Sequence, residues 1–152
     1  MPEDLAQVQV MEGKAKMKWN KVRIGIWVVV MLILMFVAVQ YLNASRYDAL
    51  VQVIKEDRIG VNPTGEKLDF GDLPRNKDAV RKVTLVSSGS VASFVIVWKY
   101  GAISDFLKVS ENNFTLKAGE TKELEFSVHI PDSADYKYYR GKVTIFRIPK
   151  LW

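Results

Sequence analysis

The chain has 152 residues, 22 Lys and Arg against 17 Asp and Glu, a formal net charge of +5, and no cysteine. That length leaves room for one modest domain. The lack of cysteine excludes a disulfide-held scaffold. The basic excess is too thinly spread outside one short segment to indicate nucleic acid, and no nucleic-acid partner is expected.

That basic segment comes first. Lys14, Lys16, Lys18, Lys21 and Arg23 crowd the residues before an apolar run, and Arg46 is the one basic residue in the ten after it. From Ile24 to Val39 there are sixteen residues without a charge, and Gln40, Tyr41 and Leu42 extend the run to nineteen. A helix of that length crosses a hydrocarbon core of roughly 30 Å. Ile24, Trp27, Leu34, Phe36 and Tyr41 are read as its lipid contacts, with the amphipathic rings of Trp27 and Tyr41 at headgroup level. The five basic residues serve as topology signal and as partners for anionic lipid heads.

The charge asymmetry predicts residues 1–23 as a cytoplasmic tail and 24–42 as a single span in the cytoplasmic membrane. Residues 43–48 would be a linker, and 49–152 a domain on the extracellular or periplasmic side. A cleaved secretory signal is the rival. Such signals carry apolar cores of about 7 to 15 residues and a small-residue cleavage site. Ala38-Val39-Gln40 matches that site poorly and Ala44-Ser45 lies late, so an uncleaved signal anchor is expected. A third pattern is a pilin-type leader, with cleavage after Gly25 and a helix that packs into a filament. Trp27 to Val39 lacks the carboxylate often found shortly after such sites. Asn43-Ala44-Ser45 and Asn113-Phe114-Thr115 fit the glycosylation acceptor pattern, which makes Asn43 and Asn113 candidate acceptors.

Beyond Asp48 no segment sustains helical periodicity, and alternation takes over. Leu50 to Lys55 reads as a weak strand, Ala79 to Val86 as a strand around Val83 and Leu85. Val91 to Tyr100, rich in β-branched and aromatic residues, reads as a central strand. Gly101 to Ser110 fits either a strand or a short helical crossover. Asn113 to Lys117 is a short strand closed by Ala118-Gly119. Glu120 to Ile130 alternates cleanly, with Leu124, Phe126, Val128 and Ile130 on one face and Glu123, Glu125, Ser127 and His129 on the other. Tyr139 to Ile148 repeats the habit, and one of Tyr136, Tyr138 and Tyr139 is expected to fix this strand with a buried hydroxyl bond. Turns are expected at Pro63-Thr64-Gly65, Gly71-Asp72-Leu73-Pro74, Ser87 to Ser90, Ala118-Gly119 and Pro131-Asp132-Ser133. About seven short strands with this punctuation predict an all-β antiparallel sandwich of the immunoglobulin type, preceded by one transmembrane helix.

Leu68-Asp69-Phe70-Gly71-Asp72-Leu73-Pro74, with Val83 to Ser90 after it, resembles the opening of immunoglobulin-like domains of the major-sperm-protein and ASPM-SPD-2-Hydin type. Those begin with an FDFG-like strand and continue to a strand that ends in a polar-polar-Gly turn. Phe114 to Glu125, then Ile130-Pro131-Asp132 and Tyr139-Arg140-Gly141-Lys142-Val143-Thr144-Ile145, is similar to prokaryotic surface modules of the same fold. A single N-terminal anchor before such a sandwich is similar in architecture to accessory subunits of archaeal surface filaments. The resemblance implies a fold and a supporting role; its motifs are turn glycines and inward hydrophobics, and they locate no active site.

No catalytic constellation stands out, so no enzyme activity and no cofactor are expected. His129, the one histidine, falls on the face of Glu123 and Glu125 and reads as part of a solvated strand face. No Cys or His cluster has zinc-ligand spacing, and Asp105, Glu111, Asp132 and Asp135 form no calcium-loop motif. What remains is a surface. Trp98, Tyr100, Phe106, Tyr136, Tyr138, Tyr139, Phe146 and Trp152 are many aromatics for this length, and most are expected in the core. Tyr136, Tyr138, Arg140 and Trp152 are the candidates for contact with a protein partner in the membrane or envelope, or with a second copy of the chain.

Overall fold

The computed structural model describes the backbone of residues 2–55, 60, 65 and 67–150, and of these the side chains from residue 21 onward. The chain divides into two units, Met1–Leu42 and Asn43–Trp152. The first is one helix, α1 (Pro2–Asn43). Its apolar part, Lys21–Asn43, is 23 residues, about 34 Å at the α-helical rise. By length and composition it is able to cross a membrane, as an anchor or a signal sequence would. Its large apolar side chains are exposed on every side. A helix apolar all round needs lipid or a partner to cover it.

Among the described residues the second unit is a β-sandwich of eight strands: β1 (Ser45–Ile54), β2 (Leu68–Pro74), β3 (Asp78–Val86), β4 (Ser93–Gly101), β5 (Leu107–Val109), β6 (Phe114–Leu116), β7 (Thr121–His129) and β8 (Tyr138–Pro149). The five-stranded sheet has the order β2-β1-β8-β4-β6 and the three-stranded sheet β3-β7-β5. Inward residues alternate with outward ones along β1, β3, β4 and β7, as the pleat requires. Ala49, Val51 and Val53 of β1, Val95 and Val97 of β4, and Val143 and Ile145 of β8 meet Val83, Leu85, Leu124, Phe126 and Val128 of the other sheet in one core. Leu124, Phe126, Val128 and Ile130 are all fully buried, as their spacing predicts.

Two sequence expectations need correction, and one left open is settled. Residues 43–48 are no linker: β1 begins at Ser45, because Ser45 to Asp48 pair antiparallel with Ile145 to Lys142 of β8. Only Ala44 lies between α1 and β1. Gly71 to Pro74 is no turn but the end of β2, which makes eight strands instead of about seven. It pairs parallel with β1 in an otherwise antiparallel sheet, with an irregularity between Leu50 and Gln52. Gly71 sits there at φ 72° and donates its amide to the buried Asp69 carboxylate at 2.9 Å; a left-handed φ at a bulge is the conformation that glycine adopts without penalty. Gly101 to Ser110 resolves into a tight turn and then β5, with Leu107 N–H donating to the Ile103 carbonyl at 3.0 Å. The turn expected at Pro63-Thr64 lies outside the described residues.

Candidate functional site on the outer face of the five-stranded sheet

Register decides what this face carries. Because Val95 and Val97 point inward, Phe94, Ile96, Trp98 and Tyr100 point outward. Their cross-strand partners on β8 are Ile148, Phe146, Thr144 and Lys142. Thr144 and Lys142 in turn face Arg46 and Asp48 of β1. Trp98 is 66% exposed, and its ring centroid lies 6.4 Å from that of Phe146. The expectation that most of the aromatics are core is therefore wrong for the described ones. Tyr139 is buried and packs edge-on against Phe106 at 4.9 Å, whereas Trp98, Tyr100, Tyr136 and Tyr138 are exposed. In a run of five consecutive apolar residues, Phe94 to Trp98, alternation gives no sign of which set turns inward.

Further along the same face the chemistry becomes polar. Tyr138 opens β8 opposite Gln52, and Arg140 lies opposite Leu50. Tyr138 is 59% exposed, and the Arg140 guanidinium lies 5.7 Å from its ring centroid. Together with Leu50, Gln52, Asp69 and Asp72 they line a shallow hollow of about 180 Å³. Tyr136 stands beside it on the loop before β8, over a second hollow that shares Gln52 and Asp72. Its ring carries the Arg75 guanidinium at 4.1 Å and the Lys55 ammonium at 5.5 Å, within cation–π reach. Arg75 is held by a 2.8 Å bond to the Ala134 carbonyl. The structure thus brings Tyr136, Tyr138 and Arg140 to one corner of the sandwich; Trp152, the fourth candidate, lies outside the described residues. Next to them Lys137 donates to Asp135 at 2.8 Å, and this bond and charge hold the Asp135 carboxyl below its ordinary pKa and raise that of Lys137.

The remaining candidates are separate. Ile24, Trp27, Leu34, Phe36 and Tyr41 are exposed along α1, as are Lys21 and Arg23; the side chains of Lys14, Lys16 and Lys18 lie outside the described residues. Asn43 and Asn113 are both exposed, Asn113 at φ 58°, a left-handed conformation that asparagine tolerates better than most residues. His129 shares the face of Glu123 and Glu125, but its Nδ1 is 2.7 Å from the Asp78 carboxylate. The two glutamates instead hold Lys82, at 3.4 and 3.1 Å, and raise its pKa, chiefly through the hydrogen bond to Glu125 and then that to Glu123. Glu111 is paired with Lys122 at 2.6 Å, and the Asp132 carboxylate accepts a long 3.5 Å bond from Asn76. Among the described residues no three acidic or histidine side chains converge on one point. Comparison with known protein families, with characterised proteins and with solved structures finds no match to this chain.

Proposed function

We propose that the chain is a non-catalytic, single-pass recognition subunit. In this reading an immunoglobulin-like sandwich is held on the outer side of the cytoplasmic membrane by an uncleaved α1, with the N-terminus inside. It is an accessory component of a membrane or envelope complex. The observation that carries the reading is the corner formed by Tyr136, Tyr138 and Arg140. Exposed tyrosines with cations against their rings are the residue types that anchor protein interfaces, and these stand over shallow hollows on a rigid sheet. The basic flank of the apolar segment supports the orientation.

The test is purification of the C-terminally tagged full chain from its own membranes in mild detergent. A stoichiometric partner that is lost from a Tyr138→Ala, Arg140→Ala variant, with the sandwich still folded by circular dichroism, supports the reading. A partner retained by that variant moves the contact elsewhere, and recovery of the chain alone argues against an accessory role. A filament subunit is the second reading, favoured by a helix that continues for 42 residues with its apolar half uncovered. Intact-mass spectrometry decides it, because cleavage after Gly25 removes the basic flank.

A further inference from the structure

We infer that the apolar half of the outer sheet face is a second membrane-contact site, seated in the lipid headgroup layer. The inference rests on the reading of α1 as a membrane span.

Register locates the apolar residues along the sheet. Ser45 pairs with Ile145, and Ile145 with Val97. Phe146 and Ile148 of β8, and Ile96 and Phe94 of β4, therefore lie beyond the first residue of β1, at the end of the sheet where the chain arrives from α1. Trp98 is one row inside them, level with Arg46 through Thr144. Covalent geometry then limits the distance. Two residue steps connect Asn43, the last residue of α1, to Ser45, a reach of about 7 Å. Two strand spacings from β1 to β4 add about 10 Å. The apolar residues are thus tethered within on the order of 20 Å of the end of the span, close enough to reach the headgroup layer, which is roughly 5–8 Å thick on each side of the core.

Composition points the same way. At this end the outward side chains of β4 and β8 are aromatic or branched apolar, whereas the opposite end of the same face carries Gln52, Tyr138 and Arg140. A face graded from apolar to polar away from the tether matches the gradient from lipid to water. Trp98, mostly exposed, is of the type that settles at that boundary. Lys150, exposed just after β8, adds a cation suited to anionic heads. A protein partner would place no such constraint on where along the strands the apolar residues fall.

The lack of cysteine makes the test clean. Single-cysteine full-length variants Phe94→Cys, Trp98→Cys, Tyr138→Cys, Val80→Cys and Tyr41→Cys are labelled with bimane. Each is reconstituted in nanodiscs of equimolar phosphatidylcholine and phosphatidylglycerol doped with headgroup-nitroxide lipid. Labels at 94 and 98 are expected to be quenched several-fold more than those at 138 and 80, with 41 quenched as the sign of insertion. Quenching at 41 but not at 94 and 98 overturns the inference, leaves the span intact and gives the apolar face to a protein. Absence of quenching at 41 overturns the span itself.

Discussion

The Tyr139 hydroxyl accepts a 2.9 Å hydrogen bond from the amide of Asp135, four residues upstream. The ring is buried and edge-packed on Phe106, so the bond fixes the loop that carries Tyr136 to the start of β8. Tyr139→Phe keeps the packing and removes the bond. It should cost about 1 kcal/mol in denaturant unfolding of the detergent-solubilised chain, with Tyr138→Phe near zero; equal effects would mean that the hydroxyl has no special part.

Phe126 is buried in the central strand of the three-stranded sheet, opposite Arg81 and Val109. Phe126→Ala removes a ring from a closed core and should destabilise by about 3–5 kcal/mol. A loss below about 1 kcal/mol would disprove the β7 register.

Gly101 and Gly141 face each other across β4 and β8. A Cβ on Gly141 would collide with the Tyr100 carbonyl oxygen and with the Ile103 side chain, and Gly101 has φ 98°. Gly141→Ala should therefore destabilise by about 1–3 kcal/mol from overpacking, measured by the same unfolding assay. Gly89→Ala, where a Cβ meets nothing closer than 3.9 Å, should change little.

Soluble versions that begin at residue 43 and at residue 49 separate the two boundaries for the sandwich. The longer keeps the pairing of Ser45–Asp48 with β8 and the packing of Tyr47 on the core. It should melt at least about 5 °C higher, the shift expected for roughly 1 kcal/mol in a domain this size. Equal melting temperatures would restore residues 43–48 to the role of a linker.

Asp135 should titrate below its ordinary value of 3.8, because Lys137 donates to it and lies close in charge. A carboxyl that is more acidic when folded stabilises above its unfolded pKa, and the contribution is lost as pH falls through the folded value. Both groups are exposed, so the contribution is small. Carboxyl-carbon NMR checks it: Lys137→Ala should move the Asp135 midpoint upward, and an unchanged midpoint would remove the pair.

The fold was legible in the sequence wherever alternation was clean. Leu124 to Ile130 separates apolar from polar residues without ambiguity, so both the strand and its buried face could be read directly. The candidate corner of Tyr136, Tyr138 and Arg140 was visible as residue types; that Arg75 and Lys55 reach Tyr136 from the ends of β2 and β1 was not, since contacts so distant in sequence leave no local pattern.

The sequence by itself determined the apolar helix and the all-β character of the residues after it, because both are periodicities set by each residue's own neighbours. Tertiary structure alone decided three things. Gly71 to Pro74 continued the strand begun at Leu68 because β1 offered it an edge, against the turn propensity of Gly71 and Pro74. Ser45 to Asp48 joined β1 because β8 was long enough to pair with them. And Phe94 to Trp98, apolar on both faces, turned Val95 and Val97 inward and left Trp98 exposed, because the pairing of β4 with β8 sets Val97 opposite the buried Ile145, a register that local alternation does not encode.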